Sequence, residues 1–228
     1  MGVWLVTQAK GSSSPQQAPD GPFRPPRRRG VCEKSVSTES RFVQVFKSWL
    51  VSLPHDLKIA FEAMDDENLS RPDRELACGV VIYIVTKKDI KDRNDSVGSF
   101  ADDALLLRLA LRRIAEKKDE DATAFRERFP ELFAELAAEV DVCKSQLGDL
   151  MVWLESKVDT FRKLEHRSKK IAAYLDDEEA RSELYDDGLA FRTDYPIDDS
   201  TINDKLKKAS TVTDVIRRRR QEEAPRAS

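Results

Sequence analysis

The stretch Leu76-Ala77-Cys78-Gly79-Val80-Val81-Ile82-Tyr83-Ile84-Val85 decides the fold, because it is the most apolar run in the chain and reads two ways. Its β-branched residues suit a buried strand, since branching at Cβ restricts χ1 and packs well on a pleated surface. A buried helix over 72–87 is the better reading. Ser70-Arg71-Pro72 supplies a polar cap and an early proline, and no partner strand is visible elsewhere in the sequence. The run is also about half the roughly 18 apolar residues that a bilayer span needs, so no transmembrane segment is expected.

Upstream, Phe42, Val45, Phe46, Trp49 and Leu50 recur at spacings of three and four, which predicts a helix over 39–53. Leu53-Pro54 interrupts that pattern, and Leu57, Ala60 and Phe61 restart it. Downstream, a polar connection over 87–101 precedes Asp102-Asp103 and a leucine-rich helix reaching Ile114. Carboxylates at such a start cap free amides and suit the positive end of the helix dipole. A short helix carrying Phe125 and Phe129 then leads to Pro130.

The run Tyr83-Ile84-Val85-Thr86-Lys87-Lys88-Asp89-Ile90, followed by Val97-Gly98-Ser99-Phe100-Ala101-Asp102-Asp103 and the leucine-rich helix, resembles the YkvA-like family, a bacterial domain of unknown function. Tyr83, Asp89, Asp102 and Asp103 stand at the family's spacing. Lys87 and Asp92 replace its usual prolines, Arg93 replaces an acidic residue, and Gly98 sits one place early. The resemblance covers residues 76–114 and implies a small helical domain containing a helical hairpin. It implies no known activity.

Beyond Pro130, Leu136, Val140, Cys143, Leu147, Leu150 and Leu154 alternate steps of four and three, a heptad seam. Val158, Phe161, Leu164 and Ile171 continue it with a register shift. One helix over 131–176 would run about 65 Å at the standard rise, as a coiled coil or a folded-back hairpin, with Gly148 as its soft point.

The expected organisation is therefore all-α: a disordered Pro/Gly/Arg-rich tail over 1–39, a compact helical domain over 40–130, the long amphipathic helix over 131–176, and a charged tail over 177–228 with a short amphipathic helix near its end. The tail expectation rests on composition, since residues 1–40 hold five of the ten prolines and four of the eight glycines. Residues 176–199 carry ten acidic side chains and two basic ones, and the balance reverses over 200–220, which ends in Arg217-Arg218-Arg219-Arg220. Adjacent blocks of opposite sign can neutralise one another.

Across 228 residues the formal net charge is −3, which argues against a general nucleic-acid binder. Three scattered cysteines, with no paired spacing, argue against a disulfide framework or structural zinc, and for a reducing, cytoplasmic setting. No glycine-rich phosphate loop is present, and neither His55 nor His166 has a visible catalytic partner.

The leading expectation is a non-enzymatic interaction or scaffold protein without a cofactor, binding a protein partner or a second copy through Leu136, Val140, Leu147, Leu150 and Leu154. A second is a divalent-metal site at Asp89, Asp102 and Asp103, hydrolytic or a switch, since hard cations take oxygen ligands. A third is peripheral binding of anionic partners, acidic membrane surfaces included, through Arg27 to Arg29 and Arg217 to Arg220.

Overall fold

The computed structural model describes residues 37–86 and 97–223. Residues 1–36 of the expected tail, with Arg27 to Arg29 and Cys32, lie outside them, as do Lys87, Lys88 and Asp89; residues 37–39 of the expected tail open the first helix.

Helix α1 spans Thr38–Asp65, opened by the Ser37 side chain, which accepts from the Ser40 amide. Its apolar stripe, from Phe42 through Trp49 and Leu57 to Met64, is buried. The sequence pattern predicts two helices broken at Pro54; the structure has one. Proline removes the amide that would bond the Leu50 carbonyl, and the Tyr195 hydroxyl donates to that carbonyl instead, at 2.6 Å.

The deciding stretch is helical: α2 covers Arg71–Thr86 and is buried almost all round. Gly79 permits this. A Cβ there would stand 2.5 Å from the Phe161 carbonyl oxygen, so the following polypeptide lies directly against the α2 backbone. A 3-10 turn over Val97–Phe100 leads into α3, Ala101–Ala115, which packs with α1 and α2. Asp102 and Asp103 occupy its first turn, after an N-cap at Phe100 that makes no side-chain cap bond.

Helix α4, Glu120–Arg128, is capped by Asp119 accepting from the Ala122 amide at 2.7 Å, and α5, Pro130–Phe133, carries proline at its start.

The single long helix expected over 131–176 is not formed. After α5, the chain makes α6 (Leu136–Leu147), α7 (Asp149–Val158), a 3-10 turn (Phe161–Lys163), a hairpin of β1 (Glu165–His166) with β2 (Lys169–Lys170), and α8 (Ile171–Asp176). Gly148 adopts φ 51°, ψ −122° between α6 and α7, a conformation that essentially only glycine reaches. Phe161 is buried beneath Gly79, and Arg167 and Ser168 turn the hairpin with φ of 48° and 62°.

The charged stretch from 177 carries the amphipathic helix expected near its end and two further helices before it. It forms α9 (Glu178–Asp194), α10 (Asp199–Lys205) and α11 (Ala209–Glu223). Leu184, Phe191, Ile202, Leu206, Val212 and Ile216 are buried in the core that also holds Phe46 and Leu107. The apolar positions recur at helical spacing inside a strongly acidic stretch, and burial of those few side chains outweighs the local charge. No helix among the described residues is long and apolar enough to cross a membrane.

Candidate functional site

The heptad seam is internal. Leu136, Val140, Cys143, Leu147, Leu150 and Leu154 are all buried, with α6 against α1 and α7 against α3 of the same chain. A periodicity of four and three marks an apolar stripe and leaves the stripe's partner unspecified; here the partner is the rest of the fold, so the stripe forms no coiled-coil face, and only Leu147 and Leu150, at its bend, border an open cleft.

Of the three carboxylates expected to converge, Asp89 lies outside the described residues. Asp102 and Asp103 are fully buried. The Tyr83 hydroxyl donates to Asp102 Oδ2 at 3.0 Å, and Arg219 Nε lies 4.0 Å from the same oxygen. Burial pushes the Tyr83 phenol well above its ordinary range, and the two carboxylates push it further. Burial pulls the Arg219 guanidinium down, yet Asp102, Glu222 and Asp103 together raise it. Among the described residues, no three His, Cys, Asp or Glu side chains are grouped to hold a metal ion.

The four arginines of α11 divide. Arg219 turns inward, whereas Arg217, Arg218 and Arg220 are exposed. Arg217 pairs with Asp214 at 2.6 Å, and Arg220 has no ion pair among the described residues.

His55 lies 3.4 Å from Glu131 at the surface, and His166 Nε2 lies 2.8 Å from Asp187 Oδ2. Arg167 also donates to Asp187, which pins the hairpin onto α9. Among the described residues neither histidine bonds a serine, threonine or cysteine.

One buried polar centre escaped the sequence reading. Arg108 donates to Asp56 at 2.6 Å and to Ser52 at 2.8 Å, with side chains 6% and 3% exposed for the pair. Its guanidinium carbon stands 5.0 Å from the centre of the Trp49 ring, and Trp49 Nε1 donates to Glu139 at 2.8 Å. Burial pushes the Asp56 carboxyl up and the Arg108 guanidinium down, each against the pull of its partner. The signal was one arginine inside a run of leucines. Buried among helices, this centre ties α1, α3 and α6 together.

The exposed apolar surface is elsewhere. Helices α1 and α9 cross closely at Gly188, where a Cβ would stand 2.5 Å from the Phe61 ring. Beside the crossing runs a groove of about 160 Å³, with Leu57 and Phe61 at its base and Pro54, Tyr185 and Leu189 along its sides. Tyr185 stacks on Phe61 with ring centres 4.7 Å apart, and its hydroxyl donates to Asp65. Leu189 is 63% exposed and Tyr185 39%, and Val51, one turn before Pro54, is 36% exposed. Lys58 and Arg192 stand on the rim; Lys58 pairs with Glu62 at 3.3 Å, and Arg192 has no ion pair among the described residues. The sequence signals were Gly188 and an unexplained Leu189 in a polar stretch.

No family model matches the chain, and no curated protein or solved structure similar to it was found.

Proposed function

We propose that this protein is a non-enzymatic interaction module whose working face is the groove between α1 and α9, and that its occupant is an amphipathic helix of a protein partner bearing aliphatic and acidic residues. The observation that carries this is the concentration of exposed apolar side chains. Three of the four exposed large hydrophobics among the described residues, Val51, Tyr185 and Leu189, belong to these two helices, and contiguous exposed apolar surface marks interaction sites. A groove lined by apolar side chains on two crossing helices accepts the apolar face of a third helix. Lys58 and Arg192 at its rim supply the charge complementarity that favours carboxylates. This keeps the interaction role expected from the sequence and moves it from the buried seam to a surface the fold leaves open.

Selection from a random peptide library on the full chain tests the proposal. Enriched peptides are expected to carry aliphatic residues at three- and four-residue spacing with nearby Asp or Glu, and to be lost on Leu189→Asp. Leu189 is largely exposed, so the variant keeps its helicity. Enrichment of unpatterned peptides, or retention unaffected by Leu189→Asp, overturns the proposal. Concentration-dependent self-association abolished by the same variant would instead place a second copy in the groove.

A further inference from the structure

Gly148 and α11 frame a second and larger opening. The Gly148 backbone conformation is closed to side chains, although a Cβ there would meet nothing within 4 Å. The residue is glycine for the shape of the turn and not for want of space. That turn sets Leu147 and Leu150 together at the wall of an open cleft of about 540 Å³, within the range of about 300–1,000 Å³ found for small-molecule sites.

The opposite wall is α11. Arg219 is directed into the body toward Asp102, which fixes the rotation of the helix and leaves Arg217, Arg220 and Gln221 lining the cleft. Gln146 faces them from α6. Arg217 is engaged only by the exposed Asp214, a pairing of small energetic weight in water.

We infer that this cleft binds a phosphate monoester carrying a short apolar group. Guanidinium and amide donors on two walls are best used by an acceptor that presents oxygens in several directions, which a tetrahedral phosphate does and a planar carboxylate does not. Leu147 and Leu150 provide contact for the apolar group. Asp149, also at the cleft, repels any anion, so the phosphate belongs on the α11 wall with Arg217 and Arg220; with a net charge of −3 the chain supplies no general field for nucleic acid. The site is separate from the α1–α9 groove and does not depend on what that groove binds.

The test is calorimetric titration of the full chain with phenyl phosphate, inorganic phosphate and phenol at constant ionic strength, alongside co-sedimentation with phosphatidic acid vesicles. Saturable binding of phenyl phosphate, tighter than either fragment, is expected. It should weaken about tenfold or more in Arg217→Ala/Arg220→Ala, the loss of roughly one charge-assisted contact or more, and be unchanged in Arg218→Ala. Vesicle binding with the same arginine dependence, without binding of soluble phenyl phosphate, would identify a lipid headgroup as the source of the phosphate monoester. The variants replace exposed side chains, and circular dichroism checks that they stay folded. No saturable binding in either format, or binding indifferent to the double variant, overturns the inference.

Discussion

The Tyr195 hydroxyl lies 2.6 Å from the Leu50 carbonyl oxygen, and Leu50 is the residue whose helical partner Pro54 cannot supply. A side chain 145 residues away completes the helix that proline would otherwise break. Tyr195→Phe should therefore destabilise the protein by about 1–2 kcal/mol, the cost of an unmade bond to a part-buried carbonyl. Pro54→Ala restores the local amide, so the same Tyr195→Phe change in that background should cost clearly less. Urea denaturation of the four proteins measures the coupling, and equal costs in both backgrounds would contradict the explanation.

Arg108 and Asp56 form a buried pair that holds α1 to α3. Arg108→Met leaves the carboxylate buried without its cation and should cost about 3–5 kcal/mol at neutral pH. Asp56 sits above its ordinary value of 3.8 because of burial, even with Arg108 present. The native state then holds the proton more tightly than the unfolded chain. Its contribution to stability is complete below 3.8 and is lost as pH rises through the native value. Without Arg108 that value climbs further, so acidification should recover part of the deficit of Arg108→Met. Unfolding curves at neutral and mildly acidic pH read this directly; a deficit that does not change with pH would exclude an ionised Asp56 as its source.

Two glycines mark places where the backbone has no room. At Gly79 a Cβ would meet the Phe161 carbonyl oxygen and carbon, both backbone, whereas at Gly188 it would meet only the ring of Phe61. A ring can tilt and a peptide group pinned by a buried side chain cannot. Gly79→Ala is expected to be the more damaging, above the usual range of about 1–3 kcal/mol for overpacking, with Gly188→Ala inside it. Thermal unfolding orders the two, and Gly188→Ala should also weaken peptides selected on the groove.

The helical class was legible because its signals are local. The spacing of Phe42, Val45, Phe46 and Trp49, the Ser70 start and the leucines after Asp103 each predict the helix that forms. What sequence could not give is which surface an apolar stripe faces. Val140, Cys143 and Leu154 are spaced as a coiled-coil seam would be, yet they are covered by their own chain, because Gly148 bends the path and later helices fold back. The acidic content of 176–199 concealed Leu184 and Phe191, the large side chains by which α9 joins the core. The groove and the α11 cleft arise from pairs of helices far apart in sequence. The arginine run announced part of the cleft, and for the groove the sequence offered only Gly188 and Leu189, with no sign of the helix they face.

Asp198 gives a local pH response that separates capping from packing. It is the N-cap of α10, accepting from the Thr201 amide at 2.7 Å and the Ser200 hydroxyl at 2.9 Å. The Thr201 amide, with smaller help from the Thr201 and Ser200 side chains, lowers its carboxyl to about 2. The unfolded chain therefore takes up the proton first as pH falls. The cap's contribution is present above 3.8 and is lost as pH falls from there through about 2. Asp66 and Asp176 are lowered as well, so global acid unfolding mixes their effects, and the readout has to be hydrogen exchange at the amides of α10. Asp198→Asn keeps a capping oxygen that does not titrate and should hold α10 protected across that range. Asp198→Ala should leave α10 open to exchange at every pH, while Ile202, buried against the core, keeps the rest of the fold unchanged. Equal protection in the Asn and Ala variants would show that packing of Ile202, and not the cap, maintains the helix.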